Sequence, residues 1–205
     1  MKILFLTNNL EVTHPLLEWL RRTEGFNNVV LCSDLITGKL FMEDEPFHGT
    51  EYIVSYNYAH IIMQDVIQLF LHRIINLHIS MLPWNRGVSP NIWSFIEGTP
   101  AGVTIHEIDK GIDTGDILLQ REIVFDFEID TLKSSYEKSH ALILKLFCEN
   151  WEKLKNSQIA PTPQNKAEGT THFLKDSQVF DQVICYGDTI TEFLSKCRNN
   201  NCSRV

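Results

Sequence analysis

No apolar run in this chain is long enough to cross a membrane. The first, Ile3 to Leu6, gives way at once to Thr7-Asn8-Asn9, whereas a span needs about 20 apolar residues. The run is also too short for a secretory leader, so a cytoplasmic protein with no membrane partner is expected. Cysteine is scarce: Cys32, Cys148, Cys185, Cys197 and Cys202 are odd in number, scattered, and without zinc-knuckle spacing. Free thiols and no metal follow as expectations. No Gly-x-Ser-x-Gly elbow is present and no thiol accompanies a histidine motif, which removes the usual covalent nucleophiles. Positive charge is short as well, with 18 Lys and Arg against 26 Asp and Glu and a formal net charge of −8. That is the wrong sign for a nucleic-acid surface. There is no internal repeat, and the one low-complexity stretch is the polar end Arg198-Asn199-Asn200-Asn201.

What is there suits one ordinary domain with appendages: 205 residues, 43% apolar and 21% charged, enough to bury a sizeable core. Residues 2–7 form a short continuous apolar run of the kind a buried parallel strand shows. Thr13 is placed to cap a helix, with Pro15 in its first turn, an apolar stripe of Leu16, Leu17, Trp19 and Leu20, and Gly25 as its end. Strands are expected at 29–32, 52–55 and 74–78, with helical spacing over 60–71. A short helix at 90–97 precedes two strands, 102–108 and 117–124, and Thr131 opens a long helix to 155. Alternation of strand and helix predicts an α/β domain with a largely parallel sheet. Pro161-Thr162-Pro163 breaks the chain, and the segments 169–173 and 179–184 read as a C-terminal hairpin or arm. Residues 1–156 are therefore expected to form the catalytic domain, and 157–205 the arm.

Chemistry concentrates in Asn76-Leu77-His78 and in Asp109-Lys110-Gly111-Ile112-Asp113-Thr114-Gly115-Asp116. Side chains alternate along a strand, so Asn76 and His78 share a face at its carboxyl end, where open α/β sheets bind ligands. Asp113 sits in a Gly-flanked turn that lets backbone approach a ligand. An amide donor can stabilise an oxyanion, an imidazole can hold a proton near pH 7, and a carboxylate can take one from an attacking amine. The acidic loop also reads as a plain turn, although it lacks the twelfth-position Glu of an EF-hand. Trp84 is either a core plug or a stacking platform, and Arg86 a solvated charge or a phosphate ligand. His106, on a strand, reads as packing.

The pattern Asn76-x-His78-x-Ser80-x-Leu82-Pro83-x-x-Arg86-Gly87, with Pro90, Trp93, Gly102-Val103-Thr104 and Asp109-x-Gly111-Ile112-Asp113-Thr114-Gly115-Asp116-Ile117, resembles the formyltransferase family that uses N10-formyltetrahydrofolate. The resemblance is densest over residues 50–125. It implies a Rossmann-like, mostly parallel sheet flanked by helices and a catalytic triad of Asn76, His78 and Asp113. It also implies a folate cleft lined by Tyr58, His60, Ile61, Ile62, Lys110, Gly111 and Ile112.

Within that family the glycinamide ribonucleotide enzymes carry a Gly-Ser-rich loop after the first strand, where this chain has Thr7-Asn8-Asn9-Leu10-Glu11. The methionyl-tRNA enzymes add a C-terminal barrel domain, where this sequence has residues 157–205 and an acidic balance. The nucleotide-sugar N-formyltransferases have a short arm similar to Gly169 to Asp176. The resemblance therefore implies formyl transfer to the amine of a nucleotide-linked amino-dideoxysugar, expected to be a dTDP-4-amino-4,6-dideoxyhexose, feeding lipopolysaccharide O-antigen. It implies a homodimer built through the arm, and it places Asn8, Asn9, Trp84, Arg86 and Gly87 against sugar and pyrophosphate. The alternatives in the same chemistry are a formyltetrahydrofolate hydrolase and transfer to another amine such as glycinamide ribonucleotide.

Overall fold

A computed structural model describes residues 1–165, 167–200 and 202; Asn201 of the polar end lies outside them. In chain order the elements are β1 (Ile3–Leu6), α1 (Leu10–Glu24), β2 (Val29–Cys32), α2 (Leu40–Glu43), β3 (Tyr52–Tyr56), α3 (Gln64–Leu69), β4 (Ile74–His78), β5 (Arg86–Gly87), α4 (Pro90–Glu97), β6 (Gly102–Glu107), β7 (Ile117–Glu122), α5 (Leu132–Lys155), β8 (Thr171–His172), α6 (Leu174–Ser177) and α7 (Ile190–Asn199).

Six strands make one sheet in the order β2-β1-β3-β4-β6-β7. The pairs β1–β2, β1–β3 and β3–β4 are parallel, while β4–β6 and β6–β7 are antiparallel. The fold is thus the expected α/β, mostly parallel, Rossmann-like sheet flanked by helices. Strand order reverses between β1 and β3, so the carboxyl ends of those two strands open a crevice of the type that binds ligands in doubly wound sheets. The all-apolar β1 is fully buried because both of its faces are covered. Apolar faces of α1 and α5 pack on one side and α2 and α3 on the other.

Caps decide where helices begin. Thr131 caps α5 as expected, its Oγ1 accepting the Ser134 N–H at 3.0 Å while the Thr131 N–H donates to Ser134 Oγ. The first helix starts a turn earlier than the sequence suggested. Asn9 is its cap, accepting the Val12 N–H, and Thr13 is buried with its hydroxyl donating to the Asn9 carbonyl at 2.8 Å. The helical spacing over 60–71 yields only α3, because tertiary contacts hold the preceding loop open. There the Ala59 N–H donates to Asn8 Oδ1 and the Tyr58 hydroxyl to the Asp34 carbonyl.

Of the expected hairpin or arm, the structure has an arm: turns carrying the short helices α6 and α7, with no hairpin among the described residues. Its two-residue strand β8 pairs in parallel with β5 rather than with a neighbour in sequence. Residues 179–184, expected as a strand, form turns. Phe180 from those turns and Phe193 and Cys197 of α7 share a third apolar cluster with Trp93 and Phe95 of α4 and Leu132 of α5.

The main core centres on Trp151, stacked on Phe147 at 5.0 Å and edge-on to Tyr52 at 5.4 Å. Its indole N–H donates to Glu24 Oε1 at 2.7 Å, tying α5 to α1. Trp151→Ala is expected to lower the unfolding free energy by about 3–5 kcal/mol, measured as a fall in the urea midpoint at unchanged slope.

Candidate active site

The antiparallel register of β4 with β6 sets Asn76 opposite His106. The turn after β6 then brings Asp113 over that pair. Asp109 shapes this turn, its Oδ1 accepting the Gly111 N–H at 2.9 Å and the Thr114 hydroxyl at 2.5 Å. Asp113 itself has φ 50°, in the left-handed region, a conformation that costs free energy in a non-glycine residue and is common at functional sites.

Four groups converge on its carboxylate. Asn76 Nδ2 donates to Oδ1 at 3.1 Å and the Gly87 N–H donates to Oδ2 at 2.8 Å. His78 Nδ1 lies 3.5 Å from Oδ2, and His106 Nε2 lies 3.4 Å from Oδ1. Both rings have a second partner. His106 Nδ1 faces the Glu107 carbonyl at 2.7 Å, and its Nε2 lies 3.3 Å from Asn76 Nδ2 as well as close to Asp113. His78 Nε2 faces the Asn85 carbonyl at 3.1 Å.

Burial works to raise the Asp113 pKa, but His78, His106 and the Gly87 N–H outweigh it and hold the carboxyl well below the ordinary carboxylate range. Burial lowers the His78 pKa; Asp113 and the Asn85 carbonyl oppose that, and His106 adds to it. At rest the pair is therefore a carboxylate beside a neutral imidazole. A proton arriving at His78 Nδ1 would find Asp113 as acceptor while Nε2–H keeps Asn85. The set can take up and return one proton.

Two cavities meet here. One, of about 280 Å³, lies between the 58–62 loop and the 108–114 turn, and includes Tyr58, His60, Ile61, Ile62, Gly111 and Ile112 among its walls. These are six of the seven residues that the resemblance gathers into a folate cleft; the seventh, Lys110, does not line this cavity. The other, of about 660 Å³, extends from His78 and Asn91 to Asn9 and Glu11 and to Leu174, Phe180 and Asp181 of the arm. Among the described residues its lining contains Glu11 and Asp181 but no Lys or Arg. Among the described residues no three His, Cys, Asp or Glu converge as metal ligands would, and no helix is long and apolar enough to cross a membrane.

Three residues expected against the substrate are elsewhere. Arg86 is buried, its Nε donating to Gln164 Oε1 at 3.2 Å and Nη2 to the Glu168 carbonyl at 3.4 Å, and it lines neither cavity. Asn8 stitches loops together, Nδ2 donating to the Ser33 carbonyl and Oδ1 accepting from Ala59 N–H. Trp84 is half-buried and lines neither cavity. Asn9 and Gly87 do reach the larger one. The sequence reading missed His106 and Gln164. The His106 signal was its register against Asn76, invisible before the strands are paired. Gln164, whose Nε2 donates to the Asp113 carbonyl at 2.9 Å and the Gly115 carbonyl at 2.6 Å, had no sequence signal at all.

The family model described as formyl transferase matches residues 43–149, just over half of the chain. The chain belongs to the formyltransferase family. Among solved structures, this formyltransferase is 38% identical to the formyltransferase PseJ from Anoxybacillus kamchatkensis, in complex with UDP-4,6-dideoxy-4-formamido-L-AltNAc and tetrahydrofolate. That likeness covers 96% of this chain and 99% of the other, with a TM-score of 0.82. An N-formyltransferase from Helicobacter canadensis shares the fold at 21% identity and a TM-score of 0.71, over 97% and 78% of the two chains. The methionyl-tRNA formyltransferase of Thermodesulfovibrio yellowstonii is 37% identical over 115 residues, or 56% of this chain and 37% of the relative. That of Desulfotalea psychrophila is 32% identical over 159 residues, or 77% and 48%. The chain thus spans less than half the length of these curated relatives.

Two outcomes test the site. Asp113→Asn is expected to keep the fold, with a melting temperature within a few degrees of wild type, and to lose about 10²–10⁴-fold in kcat. In an NMR titration the His78 ring is expected to remain neutral at its ordinary value of 6.5 and to charge only below it, because burial disfavours the imidazolium. In Asp113→Asn that midpoint moves further down, since the carboxylate that favours the charged ring is gone.

Proposed function

We propose that this formyltransferase moves a formyl group from N10-formyltetrahydrofolate to the amine of a nucleotide-linked 4-amino-4,6-dideoxyhexose. The observation that carries the reading is the meeting of two cavities at Asn76, Gly87 and Asp113. One cavity suits a flat donor and the other an extended acceptor. The donor side fits a folate: Ile61, Ile62, Ile108 and Ile112 offer apolar walls, and the two loops offer backbone edges. The co-substrate supplies an activated formyl carbon.

The residues do the rest. Asn76 Nδ2 holds its hydrogens toward Asp113 and His106; a formyl oxygen entering beside it takes one of them, so the amide steadies the charge that develops as the amine adds. Asp113 and His78 receive the proton the amine sheds and return it to N10 as the carbon–N10 bond breaks. No side-chain nucleophile is needed, because the amine forms the new bond itself.

The acceptor reading is supported by the likeness to PseJ over nearly the whole of both chains, which takes in the arm that walls the larger cavity. That relative's UDP-linked ligand favours uridine over the thymidine diphosphate expected from sequence. Glu11 and Asp181 suit an acceptor that arrives as an ammonium. With no Lys or Arg among the described lining residues, the diphosphate is held by neutral donors at the starts of α1 and α4, where Asn9 and Ser89 line the cavity. The partial likeness to methionyl-tRNA formyltransferases is met by the shared chemistry rather than a shared acceptor, and a chain of net charge −8 is poorly suited to an RNA backbone.

The test is tetrahydrofolate formation from N10-formyltetrahydrofolate against a panel of UDP- and dTDP-aminosugars, with product mass. Turnover with a 4-amino-4,6-dideoxyhexose and a product heavier by one formyl group is expected. Formylation of methionyl-tRNA in preference to every sugar, or full-rate formate release with none present, would overturn the assignment.

A further inference from the structure

Five residues line both cavities: Tyr58, Asn76, Gly87, Val88 and Asp113. Val88 alone among them is aliphatic, and it is 36% exposed in a cleft otherwise furnished with polar groups at this point. Its place is fixed from the arm. The Val88 N–H donates to the His172 carbonyl at 3.0 Å, while the Gly87 N–H before it points the other way, to Asp113. The residues on either side of it are both left-handed, Gly87 at φ 90° and Ser89 at φ 52°. A Cβ on Gly87 would sit 2.1 Å from the His172 carbonyl oxygen, so the arm presses directly on this bend and leaves Val88 little freedom to move. His172 is itself braced, its ring stacked on Trp93 at 3.9 Å and its Nε2 3.0 Å from Glu97 Oε1.

We propose that Val88 is a positioning residue, an apolar septum between donor and acceptor cavities that keeps water off the formyl carbon until an amine is in place. The inference rests on the two-substrate reading above. An activated formyl carbon beside a carboxylate–imidazole pair is open to water as well as to an amine. Attack by water would form a carbon–oxygen bond, break the carbon–N10 bond, and release formate with the shed proton returned to N10. Neither Asp113 nor His78 distinguishes the two nucleophiles, since each only accepts a proton. Discrimination must come from what fills the junction, and the two γ-methyl groups of a β-branched side chain offer water no hydrogen bond.

The experiment compares wild type, Val88→Ala and Val88→Thr in full-length protein. Formate release from N10-formyltetrahydrofolate is followed without sugar, and formylated product is followed with the aminosugar panel. Melting temperature and folinic acid binding report the fold and the donor cavity. Both variants are expected to raise formate release about tenfold without sugar and to lower the product-to-formate ratio with it. Val88→Thr keeps the shape and exchanges one methyl for a hydroxyl, so it separates polarity from lost packing. Formate release equal to wild type in both variants would overturn the septum. A wild type that formylates no sugar would instead overturn the acceptor assignment, and the sugar-free formate comparison would still decide the role of Val88.

Discussion

The structure depends on keeping one carboxylate ionised where little of it meets solvent directly. An isolated buried charge costs several kcal/mol, and Asp113 meets that cost with partners drawn from distant parts of the chain. Asn76 and His78 come from β4, His106 from β6, and the Gly87 N–H from the short strand β5. Gln164, beyond the chain break at Pro161-Thr162-Pro163, pins the Asp113 backbone through its carbonyl. The sheet's antiparallel turn at β6 has a consequence here. Only that reversal lays His106 against Asn76 and starts the turn carrying Asp113 at the ligand-binding end.

The same constraint shapes the imidazole. A parallel sheet covered on both faces gives His78 surroundings that disfavour its charge, and Asp113 restores part of what burial removes. Neither group alone is a good proton carrier at neutral pH: a strongly acidic carboxylate holds a proton poorly, and a desolvated imidazole resists one. On the proposed reading the two share a proton as a unit, and their titration then belongs to the pair. The two other claims on Asp113, from Asn76 and Gly87, orient it without adding net charge.

Much of this was legible in the residues. Apolar runs and their spacing gave β1 to β4, β6, β7 and the long helix α5, because those elements bury continuous or periodic faces. Alternation put Asn76 and His78 on one face at a strand's end, and Gly-flanked turn chemistry marked Asp113. The failures share a cause. Arg86 and Asn8 carry groups that could hold a phosphate, and nothing in their neighbourhood revealed that Gln164 and Glu168, or Ser33 and Ala59, would claim them first. Likewise β8 is two residues long and pairs with β5 across more than eighty positions of chain, too short a segment to show any period. Local pattern reports local structure, whereas hydrogen bonds between distant segments become visible only once the chain is folded.

That division between local and distant runs through the function as well. Every residue lining the smaller cavity falls between Ser55 and Thr114, inside the stretch that matches the family model. The larger cavity takes Asn9, Glu11 and Val12 from before that stretch, and Leu174, Ser177, Phe180, Asp181, Ile184 and Tyr186 from after it. A match confined to residues 43–149 therefore speaks for the donor and the proton-handling groups and says little about the acceptor. Identity that extends over the whole chain speaks for both, because it includes the residues that would touch the acceptor. This is why relatives matched over part of their length and a structure matched over nearly all of it can differ in the acceptors they name without conflict. On the proposed reading, the chemistry at Asp113 belongs to the shared core, and the choice of amine belongs to the segments that close over it.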